Sequence, residues 1–348
     1  MTGKTAIVLF NLGGPDNLEA VEPFLFNLFN DPAIIGIPNP FRWMLAKFIS
    51  SRRAPVAREI YKLIGGSSPL LENTRTQAEA LSSVLNNNDG SGEFRCFISM
   101  RYWNPRSNET VAAVQSFDPD KIVLLPLYPQ FSGTTSGSSI GDWHRAAKSA
   151  GLNVPTQTIC CYPRDEGFVG AVADRVGKAI EKAGASGKPP RVLFSAHGLP
   201  QKIVDAGDPY QWQIEQSVEA VVSRLGLPDL DWQVCYQSRV GRLEWLRPYT
   251  EDALKTAGKE GVPVVVVPIA FTSEHSETLV ELDIEYRELA EEAGVPDYIR
   301  VETVRADAVF IDGLASAVTN VMAGSEELVS GEGGRICPPN CSRCAFAA

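Results

Sequence analysis

The chain has 348 residues, 44% of them hydrophobic and 21% charged, the balance of a globular protein long enough for two α/β domains with separate cores. Its formal net charge of −10 offers no basic field for a nucleic-acid backbone, which excludes nucleic acid as the main partner. No stretch supplies the roughly 18 or more apolar residues of a spanning helix. Residues 1–5 are too short and polar for a signal peptide, and seven cysteines, three of them in the last dozen residues, suit a metal in a reducing compartment better than a disulfide framework.

Residues 5–10 (TAIVLF) read as a short buried strand. NLGGP at 11–15 is its turn, where two glycines let a ligand approach the backbone. Helical spacing over 18–29 is ended by the prolines of 31–40. In the next segment, 41–53 (FRWMLAKFISSRR), Phe41, Trp43, Met44, Leu45, Phe48 and Ile49 are interleaved with Arg42, Lys47, Arg52 and Arg53. That is the pattern of a helix lying at a lipid interface, and equally of one packed on a core. Arg52 and Arg53 also suit the carboxylates of an anionic ligand. A Gly/Ser turn at 61–71, a helix at 73–85 and a loop tip at 86–92 lead to a strand at 94–100, which ends in Arg101 and Tyr102. A buried strand at 121–127, a polar loop at 128–139, a helix at 142–149 and a strand at 156–161 follow.

The second half repeats the pattern of the first. LFNLGGP at 9–15 is echoed by LFSAHGLP at 193–200, and KIVLLPLYPQFSGTT at 121–135 by VPVVVVPIAFTSEHSET at 262–278. The echoes predict a duplicated α/β unit, two similar domains facing a cleft.

The chemistry concentrates in 264–286 (VVVVPIAFTSEHSETLVELDIEY). A buried strand leads into a loop at 271–273, and Thr272 or Ser273 is placed to cap the helix after it. Glu274, Glu277, Glu281 and Glu285 fall at i, i+3, i+7 and i+11, one face of that helix. Such a stripe is ordinarily a solvated surface, but this one leaves the carboxyl end of a strand, where open α/β sheets bind ligands, and it carries His275. His197 stands just past the strand at 191–195. A lone histidine there is most often structural. If both strand ends open onto one cleft, His197 faces Glu277 across it, a pair suited to a divalent first-row metal in transit and to removing protons. The tail places Cys337, Cys341 and Cys344 within eight residues. Zinc and iron–sulfur clusters both want four such ligands; Cys160 or Cys161 is the candidate fourth, while Cys96 and Cys235 read as core residues.

Several long motifs together resemble the ferrochelatases: NLGGPD at 11–16, YPQFSGTTSGSS at 128–139, FSAHGLP at 194–200, YQSRVGRLEWLRP at 236–248 and VPIAFTSEHSETLVELDIEY at 267–286. The resemblance runs from about residue 5 to 320. It implies a chelatase-like α/β fold of two Rossmann-like, doubly wound parallel-sheet domains around a porphyrin cleft. These are expected at 1–155, with a hydrophobic lip at about 34–53, and at 156–322, followed by a cysteine-bearing extension at 323–348; the last helix is open to completing the first domain. The implied activity is insertion of Fe²⁺ into protoporphyrin IX with release of two protons, the terminal step of haem biosynthesis. Rival readings are a chelatase for another tetrapyrrole such as coproporphyrin III, a non-catalytic haem or iron carrier, and an iron–sulfur redox protein. The last is weakened because no G-x-G-x-x-G follows a strand.

By resemblance His197 and Glu277 face each other across the macrocycle, with His275 and Glu274 beside them and Glu281 and Glu285 continuing an acidic path for metal or protons. Arg52, Arg53, Tyr61, Ser68, Arg101 and Tyr102 match positions around the pocket and the porphyrin carboxylates; Ile35, Tyr128, Trp245 and Phe271 match apolar cleft positions. Some members carry a [2Fe–2S] cluster, here expected on Cys337, Cys341, Cys344 and Cys161 (or Cys160). The lip at 41–49 implies peripheral contact with a membrane, and hence a cytoplasmic protein that visits the inner membrane; a homodimer is a further expectation.

Overall fold

The structure is a computed structural model, and its described residues are 3–87, 92–184 and 187–347; the expected loop tip at 86–92 falls largely outside them. Among the described residues nine strands form two sheets, every strand pairing of which is parallel. The first contains β1 (Lys4–Asn11), β2 (Glu93–Met100), β3 (Lys121–Pro126), β4 (Thr156–Ile159) and, from far down the chain, β9 (Leu328–Val329), in the order β2-β1-β3-β4-β9. The second contains β5 (Arg191–His197), β6 (Trp232–Gln237), β7 (Val264–Pro268) and β8 (Tyr298–Arg300), in the order β6-β5-β7-β8. The first four strands of each half therefore share one arrangement. Central strands are mostly apolar and buried, as expected where helices cover both faces of a parallel sheet: β1 is buried from Thr5 to Asn11 and β7 over its whole length.

The chain divides into two compact units, one of residues 1–161 and 314–335, the other of 162–313 and 336–348. The expected boundary at 155/156 cut through a sheet: β4 pairs with β3, so 156–161 belongs to the first unit. The extension is also divided, since β9 closes the first sheet while the three tail cysteines pack with Trp212, Ile336 and Phe346 of the second unit.

Within the first unit the lip segment is one long helix, Phe41–Leu63, continuing through Pro55. Among the described residues no helix is long and apolar enough to cross a membrane. The glycine turn after β1 has a packing explanation. Gly13 sits at φ +83°, and a Cβ on Gly14 would come within 2.5 Å of Ser68. The neighbour that approaches this backbone closely is Ser68 of the same unit, held by its own N–H on the Pro15 carbonyl at 2.7 Å.

Candidate active site

In the second unit β5 and β7 are neighbours, with Ser195 paired to Pro268. Their carboxyl ends therefore lie side by side. His197 ends β5, and Glu277 opens the helix that follows β7. His197 Nδ1 lies 2.8 Å from Glu277 Oε2. This corrects the expectation that the two face each other across a macrocycle: adjacent parallel strands deliver them to one place, in contact.

The helix is not the α-helix the spacing predicts. Residues Glu277–Glu285 form a π-helix, followed by an α-helical turn at Tyr286–Glu292. A π-helix closes i→i+5 bonds, so each turn takes up extra backbone and the spacing of an α-helical stripe no longer holds. The predicted cap is also displaced: Thr272 and Ser273 lie in the loop, and Ser276 stands at the helix start without a side-chain cap bond. Only the middle of the acidic stripe survives. Glu281 turns towards the loop after β6, where it accepts from Ser238 N at 2.8 Å, from Ser238 Oγ, from Gln237 Nε2 at 3.2 Å and from Tyr286 OH at 3.1 Å. Ser238 Oγ also reaches Glu277 Oε2 at 3.5 Å. Ser238 holds a left-handed backbone, φ +63°, unusual for a residue with a side chain and found where surroundings enforce it. Glu285 is exposed.

Glu274 leaves the stripe altogether. It precedes the helix, is buried, and its Oε1 receives Arg300 Nη1 at 2.7 Å and Thr303 N at 2.9 Å. His275 is buried against Phe271, ring centroids 4.6 Å apart, with Nε2 3.7 Å from Glu277.

The electrostatics sort the carboxylates into roles. Burial by itself raises the Glu277 pKa, but the charge and hydrogen bond of His197, with help from His275, pull it far below the ordinary range. Burial alone lowers His197; the Glu277 carboxylate outweighs it and leaves the imidazole above its ordinary value. Glu281 is raised, first by burial and then by the neighbouring Glu277 charge. One carboxylate is thus kept anionic beside an imidazole while the next is more willing to hold a proton, two groups of one kind pushed apart by environment.

Other expected residues are scattered in role. In the first unit Arg101 is buried and committed to Asp31, Nη2 to Oδ2 at 2.8 Å, with its Nε donating to Ser138 Oγ at 2.7 Å. Tyr102 donates to the same Asp31 oxygen at 2.8 Å. Neither offers its polar end outward, as contact with porphyrin carboxylates would need. Arg52 and Arg53 are exposed, stacked over Phe48 and Phe29. Tyr61 is buried with Val21 and Ala54, and Ile35 and Tyr128 are half-buried. In the second unit Trp245 is buried with its indole N–H on the Val240 carbonyl at 3.0 Å, and Phe271 is half-buried. Ser238, Gln237, Tyr286, Arg300 and Asp31 were not singled out from sequence. The positive φ at Ser238 leaves no compositional trace, and an arginine on a three-residue edge strand looks like any surface charge.

The tail thiols are buried together: Cys337, Cys341 and Cys344. Gln213 Nε2 donates to Cys337 Sγ at 3.1 Å. Cys344 hydrogen bonding, then burial, raises the Cys337 thiol well above its ordinary value. Cys160 and Cys161, in the first unit, have their sulfurs 3.4 Å apart. Cys235 is pushed up to about 12 by burial, as a core thiol should be. Among the described residues no group of three His, Cys, Asp or Glu side chains is arranged to hold a metal ion.

The fold resembles solved chelatases. SirB from Bacillus subtilis with Fe³⁺ superposes with a TM-score of 0.52 at 15% identity, covering 92% of this chain and 96% of SirB. The sirohydrochlorin chelatase SirB from Bacillus subtilis subspecies spizizenii in complex with cobalt gives 0.50 at 13% identity, covering 92% and 94%. At those identities the likeness speaks to fold only. The sequence is far closer to proteins named ferrochelatase: that of Pelagibacter ubique is 50% identical over 343 residues (98% of each chain), and that of Caulobacter vibrioides 50% identical over 344 (99% of this chain, 98% of its own). A sequence profile described as Ferrochelatase matches residues 4–322. With so much of the chain matched at such identity, this protein belongs to the ferrochelatase family.

Proposed function

We propose that this ferrochelatase inserts Fe²⁺ into protoporphyrin IX at the His197–Glu277 pair. The observation that carries the reading is the 2.8 Å contact between His197 Nδ1 and Glu277 Oε2 at the tips of two adjacent strands. With Nδ1 donating to an anionic carboxylate, Nε2 is the ring nitrogen left to meet substrate. Insertion exchanges two pyrrole N–H protons for one metal ion. Nε2 accepts a proton, and the imidazolium so formed is stabilised by the carboxylate already touching the ring. Because His197 and Glu277 are in contact, they serve the same region of a bound macrocycle. Glu281, whose pKa is raised, takes the proton onward or receives the iron beside Glu277; His275 orients Glu277. The iron is substrate in transit, so weak and incomplete coordination suits it better than a closed cage.

A flat macrocycle shields its nitrogen lone pairs, so binding must deform it, with remote contacts offsetting the strain. We assign the porphyrin carboxylates to Arg52 and Arg53 and apolar contact to Ile35, Tyr61, Tyr128, Trp245 and Phe271, with Ser68 at the turn. Arg101 and Tyr102 act indirectly, by fixing Asp31 and the turn that carries Ile35: Asp31 accepts from Ala33 N at 2.9 Å, and its carbonyl accepts from Ile35 N at 2.9 Å. The test is anaerobic incubation with Fe²⁺ and protoporphyrin IX. Haem should form with wild type and not with His197→Ala, while porphyrin still quenches protein fluorescence in both. Near-normal turnover by His197→Ala defeats the assignment.

Two further properties rest on separate observations. Cys337, Cys341 and Cys344 are buried together, with a side-chain amide donating to one sulfur; their residue type and spacing support three ligands of a [2Fe–2S] cluster, which would supply a redox-active or sensory centre once the tail rearranged around it. Visible absorption of the purified protein should carry its bands and lose them in Cys341→Ser; loss in Cys161→Ser or in Cys160→Ser identifies the fourth ligand, and bound zinc refutes the cluster. The helix Phe41–Leu63 exposes Phe41, Trp43, Met44 and Phe48 by 66, 51, 60 and 57%, with Lys47, Arg52 and Arg53 close by. A membrane surface would cover that apolar row and attract the cations. Flotation with anionic vesicles should be lost in a Phe41→Asp, Met44→Asp, Phe48→Asp triple variant. We also propose a homodimer, for which sedimentation should give twice the chain mass; a monomer overturns it.

A further inference from the structure

A π-helix is intrinsically poorer than an α-helix and persists where its surroundings hold it. The holding groups here come from β8. Arg300, 6% exposed in its side chain, forks onto Asp283 within the π-helix, Nε to Oδ1 at 2.9 Å and Nη2 to Oδ2, and places its remaining nitrogen, Nη1, 2.7 Å from Glu274 just before the helix. Tyr298, two residues earlier on the strand, donates to the Leu282 carbonyl at 2.7 Å. Arg287 ties the far end back to the same strand through the Tyr298 carbonyl at 3.0 Å. The anchored positions, 274 and 282–283, bracket Glu277 and Glu281. Neither Arg300 nor Tyr298 contacts either of those two glutamates by any bond in the structure described above.

We propose that Arg300 is a positioning residue which, together with Tyr298, fixes the register of the Glu277–Glu285 π-helix so that Glu277 meets His197 while Glu281 meets Ser238. An arginine fork fits this task because two parallel N–H···O bonds set orientation as well as distance, which a lysine cannot do. Were the segment to relax to α-helix, every residue after the first turn would rotate about the axis. Glu277 and Glu281 would then no longer address both partners. The proposal rests on the insertion-site reading above, and its test separates the two.

The experiment uses the full-length protein with Asp283→Asn, Arg300→Lys and Tyr298→Phe. Asp283→Asn leaves the Arg300–Glu274 pair intact, and Arg300→Lys keeps the charge but loses the fork. Both should lower kcat for iron insertion about ten- to hundred-fold, since an ångström of misplacement suffices for that. Porphyrin affinity by fluorescence quenching should change less than about two-fold, because binding is not where the loss falls. The acid limb of the kcat pH profile should move down as His197 loses its carboxylate, and amide exchange across 282–287 should quicken. Tyr298→Phe should show a weaker form of the same pattern. If Arg300→Lys does not fold, Asp283→Asn decides alone. Unchanged kcat and pH profile with only a lower melting temperature would reduce Arg300 to a structural tie and overturn the proposal. Should His197→Ala also keep near-normal turnover, the site reading itself has failed; if His197→Ala loses turnover and Asp283→Asn is normal, the clamp alone has failed.

Discussion

The two units use one strand arrangement for different purposes. Phe10 on β1 pairs with Pro126 on β3, and Ser195 on β5 pairs with Pro268 on β7, so the proline gives a common register. Two residues beyond the paired position the first unit has Leu12 and the second has His197. The loops after the prolines diverge likewise. In the first unit the loop leads into a helix beginning at Ser136 with Ser138 and Ser139, and in the second into Glu277 and Glu281. Charge near the first unit's strand ends is turned inward and spent on itself, Arg101 on Asp31; near the second unit's it is gathered around an imidazole. Frame and chemistry are separable: the strands specify where strand tips lie, and the loops decide what stands on them.

That contrast can be broken by mutation. The largest effect belongs to the second unit: His197→Ala should reduce turnover by about 10² to 10⁴, the usual worth of a positioned acid–base group, and change denaturant stability little, because the histidine side chain is 37% exposed. The first unit should behave oppositely. Asp31→Ala removes the carboxylate that accepts from Arg101, Tyr102 and Ser138, leaving a buried guanidinium whose remaining carboxylate partner among the described residues is the more distant Asp142 at 3.8 Å. A loss of about 3–5 kcal/mol in urea unfolding is expected, as for other broken buried pairs. If Asp31→Ala is as stable as wild type, the distinction between the units is wrong.

The pH dependence sharpens the same point. His197 must be neutral to accept a proton, and its pKa lies above the ordinary 6.5 because Glu277 outweighs burial. The acid limb of kcat should therefore sit above that value and move down in Glu277→Gln, where the main charge opposing burial is gone and the smaller contribution of Glu281 remains. The signs for stability follow from the same pair. The histidine's contribution is full below about 6.5 and is lost as pH rises through its raised value; that of Glu277 is present above 4.5 and lost as pH falls through its depressed one. A Glu277→Gln limb at the wild-type position would show that another group titrates. The smallest effect is Glu285→Ala. Exposed at the end of the π-helix, it should leave turnover unchanged and stability within about 0.5 kcal/mol; a large drop in turnover would restore the full acidic stripe.

Much of this was legible in the residues. Runs such as VVVV at 264–267 read as strands buried on both faces, and the echo of LFNLGGP in LFSAHGLP reported a repeated frame. His197 and Glu277 stood out because strand tips are where such sheets work. Their relation did not, since the order in which strands sit side by side is a property of the sheet. The π-helix was invisible for a related reason. Spacing arguments assume an α-helical turn, and what departs from it here is enforced by Arg300 and Tyr298 from a strand that comes later in the chain. Arg101 was misjudged because a sequence cannot show that an aspartate seventy residues earlier has already claimed a cation.

The first sheet closes with β9, whose Leu328 and Val329 pair with Thr158 and Ile159. A nascent chain must therefore make about 170 more residues after β4 before its partner is synthesised, a wait of roughly 10 to 30 s at elongation rates of about 5–20 residues per second. Throughout that interval the β4 edge is an open template for other chains. A stop codon anywhere before residue 328 would leave it open for good, so a truncation that looks confined to the tail would do its damage in the part of the protein made first.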